Sequence, residues 1–448
     1  MGYGHDARRR PDGRFRGPVV TELHLAVGLD GYGWHPHAWR HAFAHNATGG
    51  GQLSGRYWAA LAATAERGLL DFLTIDDSLD AQPGPRPEIS PRRLAGRADA
   101  TLVAARIAPV TAHIGLIPVA TVTHTEPFHV SKAIATLDHI SHGRAGWQVR
   151  VSATAHEAAL FGRRSAPDGD ELFHEAADAV EVVRRLWDSW EDDAVIRDVA
   201  TGRYIDRDKL HYIDFAGEHF SVKGPSITPR PPQGQPVVAA LAHAPRVYEF
   251  AAASADLVFV TPRDEESLRA ILAEVGQAQR ATGRRIQAYA DLVVSLGEDP
   301  LTPGAAISSD AHAFRGSASD LAELLLAWQD AGVDGVRLRP AVNAIDLPAI
   351  VDDLVPLLQR AGRFRTRYRE GETLRDRLGL APAPNRYATA PSASLPCRSW
   401  TWHPSAPAAT QRRRCATPST WPSTPNNGAT SVTGSPSTTS SRWPARRR

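Results

Sequence analysis

Cysteine is almost absent from this chain of 448 residues. The two that occur, Cys397 and Cys415, both lie beyond residue 390. The rest of the chain has no thiol with which to form a disulfide, a cysteine metal site or a cysteine nucleophile.

Long apolar runs are also missing. No segment approaches the roughly 18 apolar residues that a membrane span requires, and residues 1–20 lack the apolar stretch of a signal peptide. We therefore expect a cytoplasmic protein with no membrane partner.

The small net charge of +2 conceals an uneven distribution. Eight of the 51 basic residues lie in 391–448, a segment that contains no acidic residue. The rest of the chain carries 43 basic and 49 acidic residues, a net charge of −6. A basic surface for nucleic acid is therefore not expected on the folded part.

Short apolar, β-branched runs alternate with helical patterns from about residue 21 to residue 358. Eight strands with helices between them are typical of a (β/α)8 TIM barrel, because each parallel pair needs a helical crossover. A doubly wound open sheet is the alternative, but the nucleotide-binding loops GxGxxG and GxxxxGK[ST] are absent from the expected places. The predicted strands are 23–29, 71–76, 113–121, 146–152, 236–241, 256–261, 288–296 and 335–340.

Three further segments have a distinct composition. Residues 191–235, after strand 4, are too many for an ordinary barrel loop, and we expect an insertion over the carboxyl ends of the strands. The barrel domain is predicted to span 21–380, with a disordered extension at 1–20. Residues 381–448 are rich in Pro, Ser, Thr, Ala and Arg and are predicted to form a disordered low-complexity tail.

Polar residues follow several predicted strands, where the active site of a TIM barrel forms. Each has a structural alternative, since Asp77 could cap a turn, Thr123 could cap the next helix and a lone His is usually structural. The residues that other enzyme classes need are not in place. For a zinc enzyme, HPH at 35–37 lies outside any predicted strand. For a glycosidase, the carboxylates do not pair clearly, and for a serine hydrolase no nucleophile elbow occurs. A polar mouth of this kind suits a cofactor that performs the chemistry. The candidates are Asp77, Thr121, Thr123, His124, Gln148 and His243.

Three stretches of the sequence are distinctive: WHPHAWRH (34–41), AERGLLDFLTIDDS (65–78) and EPFHVSKAIATLDHISHGRAGWQV (126–149). They resemble the luciferase-like flavin-dependent monooxygenases, in particular the branch of nitrilotriacetate, dibenzothiophene-sulfone and long-chain alkane monooxygenases. The last of the three stretches is close to the family's turn, LDHLSxGRAGWN. This resemblance implies a TIM barrel that binds reduced FMN at the carboxyl ends of its strands.

The resemblance also assigns positions to the flavin site, with some departures. Gln148 stands where the branch usually has Asn, and Phe173 stands where the family has a Tyr. His243 and the amide of Ala244 replace a Gly-Ser phosphate loop, and Val119 occupies a usual Thr position. His124 is the candidate catalytic residue, with a helix-start histidine as the alternative, and no metal site is expected. The implied FMN-binding residues are Asp77, Thr121, Thr123, Gln148, Phe173, His243 and Ala244.

The implied reaction is an FMNH2-dependent monooxygenation. A separate NAD(P)H:flavin reductase would supply FMNH2, which reacts with O2 to form a C4a-peroxyflavin and inserts one oxygen atom into a small organic substrate. The enzyme would be a homo-oligomer, either a homodimer or a homotetramer. Two alternatives stay open: an F420-dependent oxidoreductase of the same fold, and a noncatalytic flavin-binding protein, suggested by the departures at Val119, Gln148 and Phe173.

The tail carries one further signal. When plausible GC-rich codons are read from their third base, two parts of it resemble the beginning of another such monooxygenase. We hypothesise that residues after 390 are an out-of-frame translation of a second gene or module of this family.

Overall fold

Thirteen strands are present in the described part of the chain, and eight of them form a barrel. The protein is seen in a computed structural model that describes residues 22–44, 51–82, 88–296, 307 and 309–388. The strands are β1 (His24–Leu29), β2 (Phe72–Ile75), β3 (Gly115–Thr121), β4 (Gly146–Arg150), β5 (Val195–Asp198), β6 (Arg203–Ile205), β7 (Phe215–Ala216), β8 (Ser221–Val222), β9 (Val237–Ala242), β10 (Leu257–Val260), β11 (Gln287–Leu296), β12 (His312–Gly316) and β13 (Gly335–Pro340).

Helices follow most of the barrel strands and cover the outside of the barrel. They are α1 (Ala38–Ala44), α2 (Gly55–Arg67), α3 (Ala100–Ile107), α4 (Pro127–Ile140), α5 (Ala155–Phe161), α6 (Gly169–Asp188), α7 (Pro245–Ser254), α8 (Glu265–Thr282), α9 (Ala318–Ala331), α10 (Asn343–Ala349), α11 (Val355–Arg360) and α12 (Leu374–Arg377). A turn of π-helix, Ile350–Leu354, joins α10 to α11.

The barrel closes through parallel pairs in the order β1, β2, β3, β4, β9, β10, β11 and β13, and β13 returns to β1. The eight predicted strands are these eight, so the predicted TIM barrel is confirmed. The doubly wound alternative is wrong, because the β10–β11 pair closes the eight strands into a barrel. β12 adds a further parallel strand alongside the second half of β11.

Helix α6 shows how local sequence sets these elements. Its N-cap Asp168 accepts hydrogen bonds from the amides of Asp170 and Glu171, which otherwise would have no intrahelical partner. Small and apolar residues recur at helical spacing, so one face packs against the barrel next to Trp147 and α4. The helix returns the chain from the carboxyl ends of the strands to their amino ends.

The 191–235 segment runs from the amino ends of the strands along α6 and back. It follows α6, so it starts near the amino ends of the strands, and it folds into the hairpins β5–β6 and β7–β8. Near its end, the Gln233 amide nitrogens donate to Asp138 of α4 and to the carbonyl of Ala145, directly before β4. The insertion thus starts and ends near the amino ends of the strands, but its β7–β8 turn reaches the β3–α4 turn at their carboxyl ends, where His219 and Phe220 line a cavity with His124.

The amino-terminal end of the barrel is sealed by α12. Leu374 and Leu378 belong to the interior apolar cluster with Phe72, and Arg377 donates to the carbonyls of Asp71 and His113. Residues 374–378 therefore complete the core at this end of the barrel.

Residues 381–388, which the sequence places in the tail, pack on the same body. Asn385 donates to the carbonyls of Asp188 and Trp190, and Tyr387 stacks on His211 at 5.2 Å. The predicted extension at 1–20 and the predicted tail beyond 390 lie outside the described residues. Among the helices that the structure describes, none is both long enough and apolar enough to cross a membrane.

Candidate active site

The interior of the barrel changes from apolar to polar along the strands. Successive strand residues point to opposite faces, so every second residue points inward. Phe72, Phe259 and Tyr289 are in mutual contact inside the barrel. Two residues further along β2 and β11 stand Thr74 and Asp291. Polar groups thus collect toward the carboxyl ends, where barrel enzymes bind their ligands.

A cavity of about 410 Å³, called here the mouth cavity, opens at this end. Its volume is within the range of about 300–1,000 Å³ that is usual for small-molecule sites. Polar side chains from β2, β4 and β13 line it together with an apolar set. The main apolar residues are Trp34, Val119, Val149, Phe173, Leu241 and Phe250.

Two buried arginines of β13 share one carboxylate beside the mouth cavity. Asp291 of β11 is the register partner of Arg337 and accepts from both Arg337 and Arg339. Their side chains are 0–4% exposed. Each guanidinium also lies over an aromatic ring, Arg337 at 3.6 Å from Phe259 and Arg339 at 4.5 Å from Trp34. Removing one partner of such a buried ion pair usually lowers the free energy of unfolding by about 3–5 kcal/mol.

The absence of a side chain at Gly28 makes room for these arginines. A Cβ atom there would lie 3.3 Å from Cγ of Arg339 and 3.4 Å from Oγ1 of Thr74. The glycine in β1 therefore permits two long cationic side chains to occupy the interior.

Arg337 also fixes the amide of Gln148. Its Nη1 donates to Oε1 of Gln148 at 2.6 Å and to Oγ1 of Thr74 at 3.3 Å. Because a guanidinium only donates, the bonded atom of Gln148 must be the oxygen. The Nε2 group of Gln148 bonds to no described residue, so it is left as a donor in the mouth cavity.

A second polar chain continues from Arg339 to the strand ends. Asp310 accepts from Arg339 at 2.9 Å and lies 3.1 Å from Nε2 of His243, whose Nδ1 lies 3.0 Å from Oγ1 of Thr261. Burial alone would raise the pKa of Asp310, but the hydrogen bond from His243 and the charge of Arg339 hold that pKa well below its usual value. Asp310 is therefore a fixed anion at the rim.

The structure brings three of the predicted site residues together and separates the others from them. Gln148, Phe173 and His243 line the mouth cavity. The remaining predicted residues do not line it: Asp77, Thr121, Thr123, His124 and Ala244.

Strand alternation explains why Asp77 is not in the cavity. Its neighbour Asp76 points inward and lines the cavity, so the Asp77 carboxylate points outward, where it accepts from the amides of Ser78 and Ala100. Burial raises the pKa of Asp77, although both amide bonds oppose that shift. Its position at the start of α3 matches the capping alternative.

The two threonines are engaged elsewhere. Oγ1 of Thr123 accepts from the amide of Ser152 at 3.0 Å. Thr121 is buried beside Arg150 in the β3–β4 register, and its carbonyl accepts from Oγ1 of Thr125. The Thr123 side chain thus ties the β3–α4 turn to the end of β4, and the Thr121 carbonyl bonds within that turn.

His124 and Ala244 also lie apart from the mouth cavity. His124 has a φ of 68° and stacks on Phe161 at 5.2 Å, where it lines a different cavity. Ala244 is the N-cap of α7, and no side chain caps this helix. Because of this position, the Ala244 amide lies next to His243 at the positive end of the helix dipole.

Sequence reasoning missed Asp291, Arg337, Arg339 and Trp34. Charged residues inside predicted parallel strands were the available signal, because such strands are normally apolar throughout. Arg337 and Arg339 are two residues apart, so they had to point the same way.

Comparison with known proteins identifies relatives of this chain. The model of the luciferase-like monooxygenase family matches residues 38–315. N-acetyl-S-(2-succino)cysteine monooxygenase of Bacillus subtilis (strain 168) is 31% identical over 82% of this chain and 98% of its own length. Nitrilotriacetate monooxygenase component A of Aminobacter aminovorans is 32% identical over 80% and 96%.

A solved structure shows the same fold. EDTA monooxygenase from Chelativorans sp. BNC1 superposes with a TM-score of 0.69 at 24% identity, over 81% of this chain and 99% of that one. The family match covers more than half of this chain, and both relatives above are monooxygenases aligned over nearly their whole length. The chain is therefore an enzyme of the luciferase-like monooxygenase family.

Proposed function

We propose that the protein is an FMNH2-dependent monooxygenase whose flavin binds in the mouth cavity. The observation that carries the proposal is the free amide donor of Gln148, held by Arg337 inside a cavity that also has apolar walls. A flavin ring presents apolar faces and a pyrimidine edge with hydrogen-bond acceptors, so it complements this combination.

The residues of the mouth cavity fit FMN in further respects. Phe173 and Phe250 lie 5.7 Å apart and offer aromatic surface. Nε of Arg339 is buried without a partner among the described residues, which adds an unused donor. The amide of Ala244 and His243, at the amino end of α7, could hold the phosphate, because a helix N-terminus favours an anion.

When bound, reduced FMN supplies the reaction with O2 that transfers one oxygen atom to the substrate. The chain itself would bind and orient the ring through Gln148 and exclude water with the apolar walls, which limits loss of the oxidant as peroxide. Asp291 keeps both arginines in place.

The proposal includes three partners: O2, a small organic substrate and a separate NAD(P)H:flavin reductase. One relative's name, component A of a monooxygenase, supports a second component. A cytoplasmic location and a homodimeric or homotetrameric state stay predictions.

Anaerobic titration tests the cofactor. We expect reduced FMN to bind in the micromolar range and reduced F420 to bind far more weakly, and O2 consumption with a flavin reductase to rise when a substrate is added. Tighter binding of F420 would favour the deazaflavin alternative. Binding of neither cofactor, or O2 consumption that rises with no member of a substrate panel, would refute the proposal.

A further inference from the structure

A second cavity, called here the helix cavity, lies outside the site described above. It has a volume of about 270 Å³ and is formed by the β3–α4 turn, the end of α5, helix α6 and the β7–β8 turn. Its volume is slightly below the usual range for drug-sized ligands, which points to a small metabolite. Its polar lining residues are His124, Glu126, Arg163, Arg164, Glu175 and His219.

The helix cavity is separate from the mouth cavity. No residue lines both. Helix α6 contributes Phe173 to the mouth cavity and Glu175 to the helix cavity. Residues two positions apart in an α-helix are separated by about 200° around the helix axis. The two cavities therefore lie against different faces of α6.

Buried polar atoms without partners are concentrated in the helix cavity. Both ring nitrogens of His124, Oε2 of Glu175 and Nε2 of His219 have no hydrogen-bond partner among the described residues. His124 and Glu175 are 8% and 4% exposed. Buried polar groups are nearly always hydrogen-bonded, so four such atoms around one cavity indicate an absent ligand.

The backbone at His124 is consistent with a binding role. Its φ of 68° lies in the left-handed region, which non-glycine residues rarely adopt and which clusters at ligand sites. Stacking on Phe161 holds the ring in this position. Burial, followed by the charge of Arg164, lowers the pKa of His124, so near neutral pH the ring has one donor and one acceptor nitrogen.

The charges of the helix cavity indicate what kind of ligand it takes. Arg164 pairs with Glu175, and Arg163 lies 3.7 Å from Glu126. A simple anion would be repelled by the free carboxylate oxygen of Glu175, and a simple cation would be repelled by Arg163 and Arg164. An ammonium group matches Oε2 of Glu175 and the acceptor nitrogen of His124, and a carboxylate matches Arg163.

We propose that the helix cavity binds a small zwitterion that carries an ammonium and a carboxylate group, as a free amino acid does. A metal ion is not the occupant, because the described residues contain no group of three His, Cys, Asp or Glu side chains close enough to hold one. This proposal does not depend on the flavin binding proposed for the mouth cavity.

The test is calorimetric titration of the flavin-free full chain with four probes: L-serine, ethanolamine, lactate and inorganic phosphate. Ethanolamine lacks the carboxylate and lactate lacks the ammonium group. We expect L-serine to bind and the other three to bind at least roughly tenfold more weakly, because each leaves a charged group without a partner. Equal or tighter binding of phosphate, lactate or ethanolamine would overturn the zwitterion assignment, as would the absence of any binding by L-serine at millimolar concentration.

Two variants locate the binding. His124→Asn keeps a residue that tolerates positive φ but removes both ring nitrogens, and Glu175→Gln removes the charge that matches the ammonium group. Each is expected to weaken L-serine binding roughly tenfold or more. Glu171→Gln, at an exposed position of α6, is the matched control and should bind like the wild type. Unchanged binding in a folded His124→Asn protein, with folding checked by thermal melting, would refute the site even if Glu175→Gln fails to fold.

Discussion

The substitution Gln148→Glu is expected to weaken flavin binding strongly while it changes the free energy of unfolding little. At present Arg337 donates to Oε1 of Gln148 at 2.6 Å, and the Nε2 group remains as a donor in the mouth cavity. The substitution keeps the size of the side chain and its acceptor for Arg337. It replaces the free donor by a second oxygen, so the group that faces the flavin can no longer donate.

The magnitude of each effect follows from these contacts. Arg339 also pairs with Asp310, whereas Arg337 has only its share of Asp291, so a carboxylate at position 148 would face a guanidinium with an incomplete counterion. Its attraction to Arg337 is about 4 kcal/mol at 4 Å with an effective dielectric constant of 20, against a desolvation cost of several kcal/mol. The free energy of unfolding should therefore change by no more than about 2 kcal/mol. Loss of the donor and the meeting of two acceptors should weaken flavin binding by about 2–3 kcal/mol, or roughly 30- to 150-fold.

The assay combines anaerobic titration with reduced FMN and denaturant unfolding of the same preparations. Gln148→Met is the matched control, because it loses the donor but also leaves Arg337 without its acceptor. It should weaken binding and also lower the free energy of unfolding by about 1–3 kcal/mol. Reduced FMN that binds the Gln148→Glu protein as tightly as the wild type would refute the donor role of Gln148. If the wild type itself binds no FMN, the proposed function fails instead.

Three further predictions concern stability. Asp291→Asn leaves two buried guanidiniums without their shared counterion and should lower the free energy of unfolding by about 3–5 kcal/mol. Urea unfolding measures this change, and a loss below about 1 kcal/mol would contradict the pairing of Asp291 with both arginines. Asp71→Asn should cost a similar amount, because Asp71 is the carboxylate partner of buried Arg365, and a melting temperature like that of the wild type would argue against the pair. Burial raises the pKa of Asp138 to about 6. The carboxyl group of Asp138 therefore holds its proton more tightly in the folded state than in the unfolded state. As pH rises from about 4 to about 7, the free energy of unfolding of the wild type, relative to that of Asp138→Asn, should fall by about 3 kcal/mol. A difference that does not vary with pH would show that the carboxyl group is not desolvated.

The barrel strands could be predicted because they are short apolar, β-branched runs between helices, and that pattern is local. β13 was predicted at 335–340 and is observed there. The sharing of Asp291 by two arginines could not be predicted in the same way. It depends on the register in which β11 meets β13, where Asp291 faces Arg337, and barrel closure sets that register.

Long-range contacts also explain what was missed outside the strands. The path of 191–235 is set by bonds such as those of Gln233 to Asp138 and Ala145, far away in sequence. At the site, the family resemblance pointed to Gln148, Phe173 and His243, which line one cavity. It also pointed to Asp77, but the alternation of strand residues makes Asp76 the inward neighbour.

The α12 seal has a consequence for the order of folding. Arg377 bonds to the carbonyl of Asp71, 306 residues earlier in the chain, and Arg365 pairs with the Asp71 side chain across 294 residues. Contacts of such sequence separation form late and slow down folding. During synthesis the strands emerge first, and the amino-terminal end of the barrel stays open until Leu374 and Leu378 have been made. A nascent chain therefore leaves the apolar interior around Phe72 without its cover until residue 378 has been made.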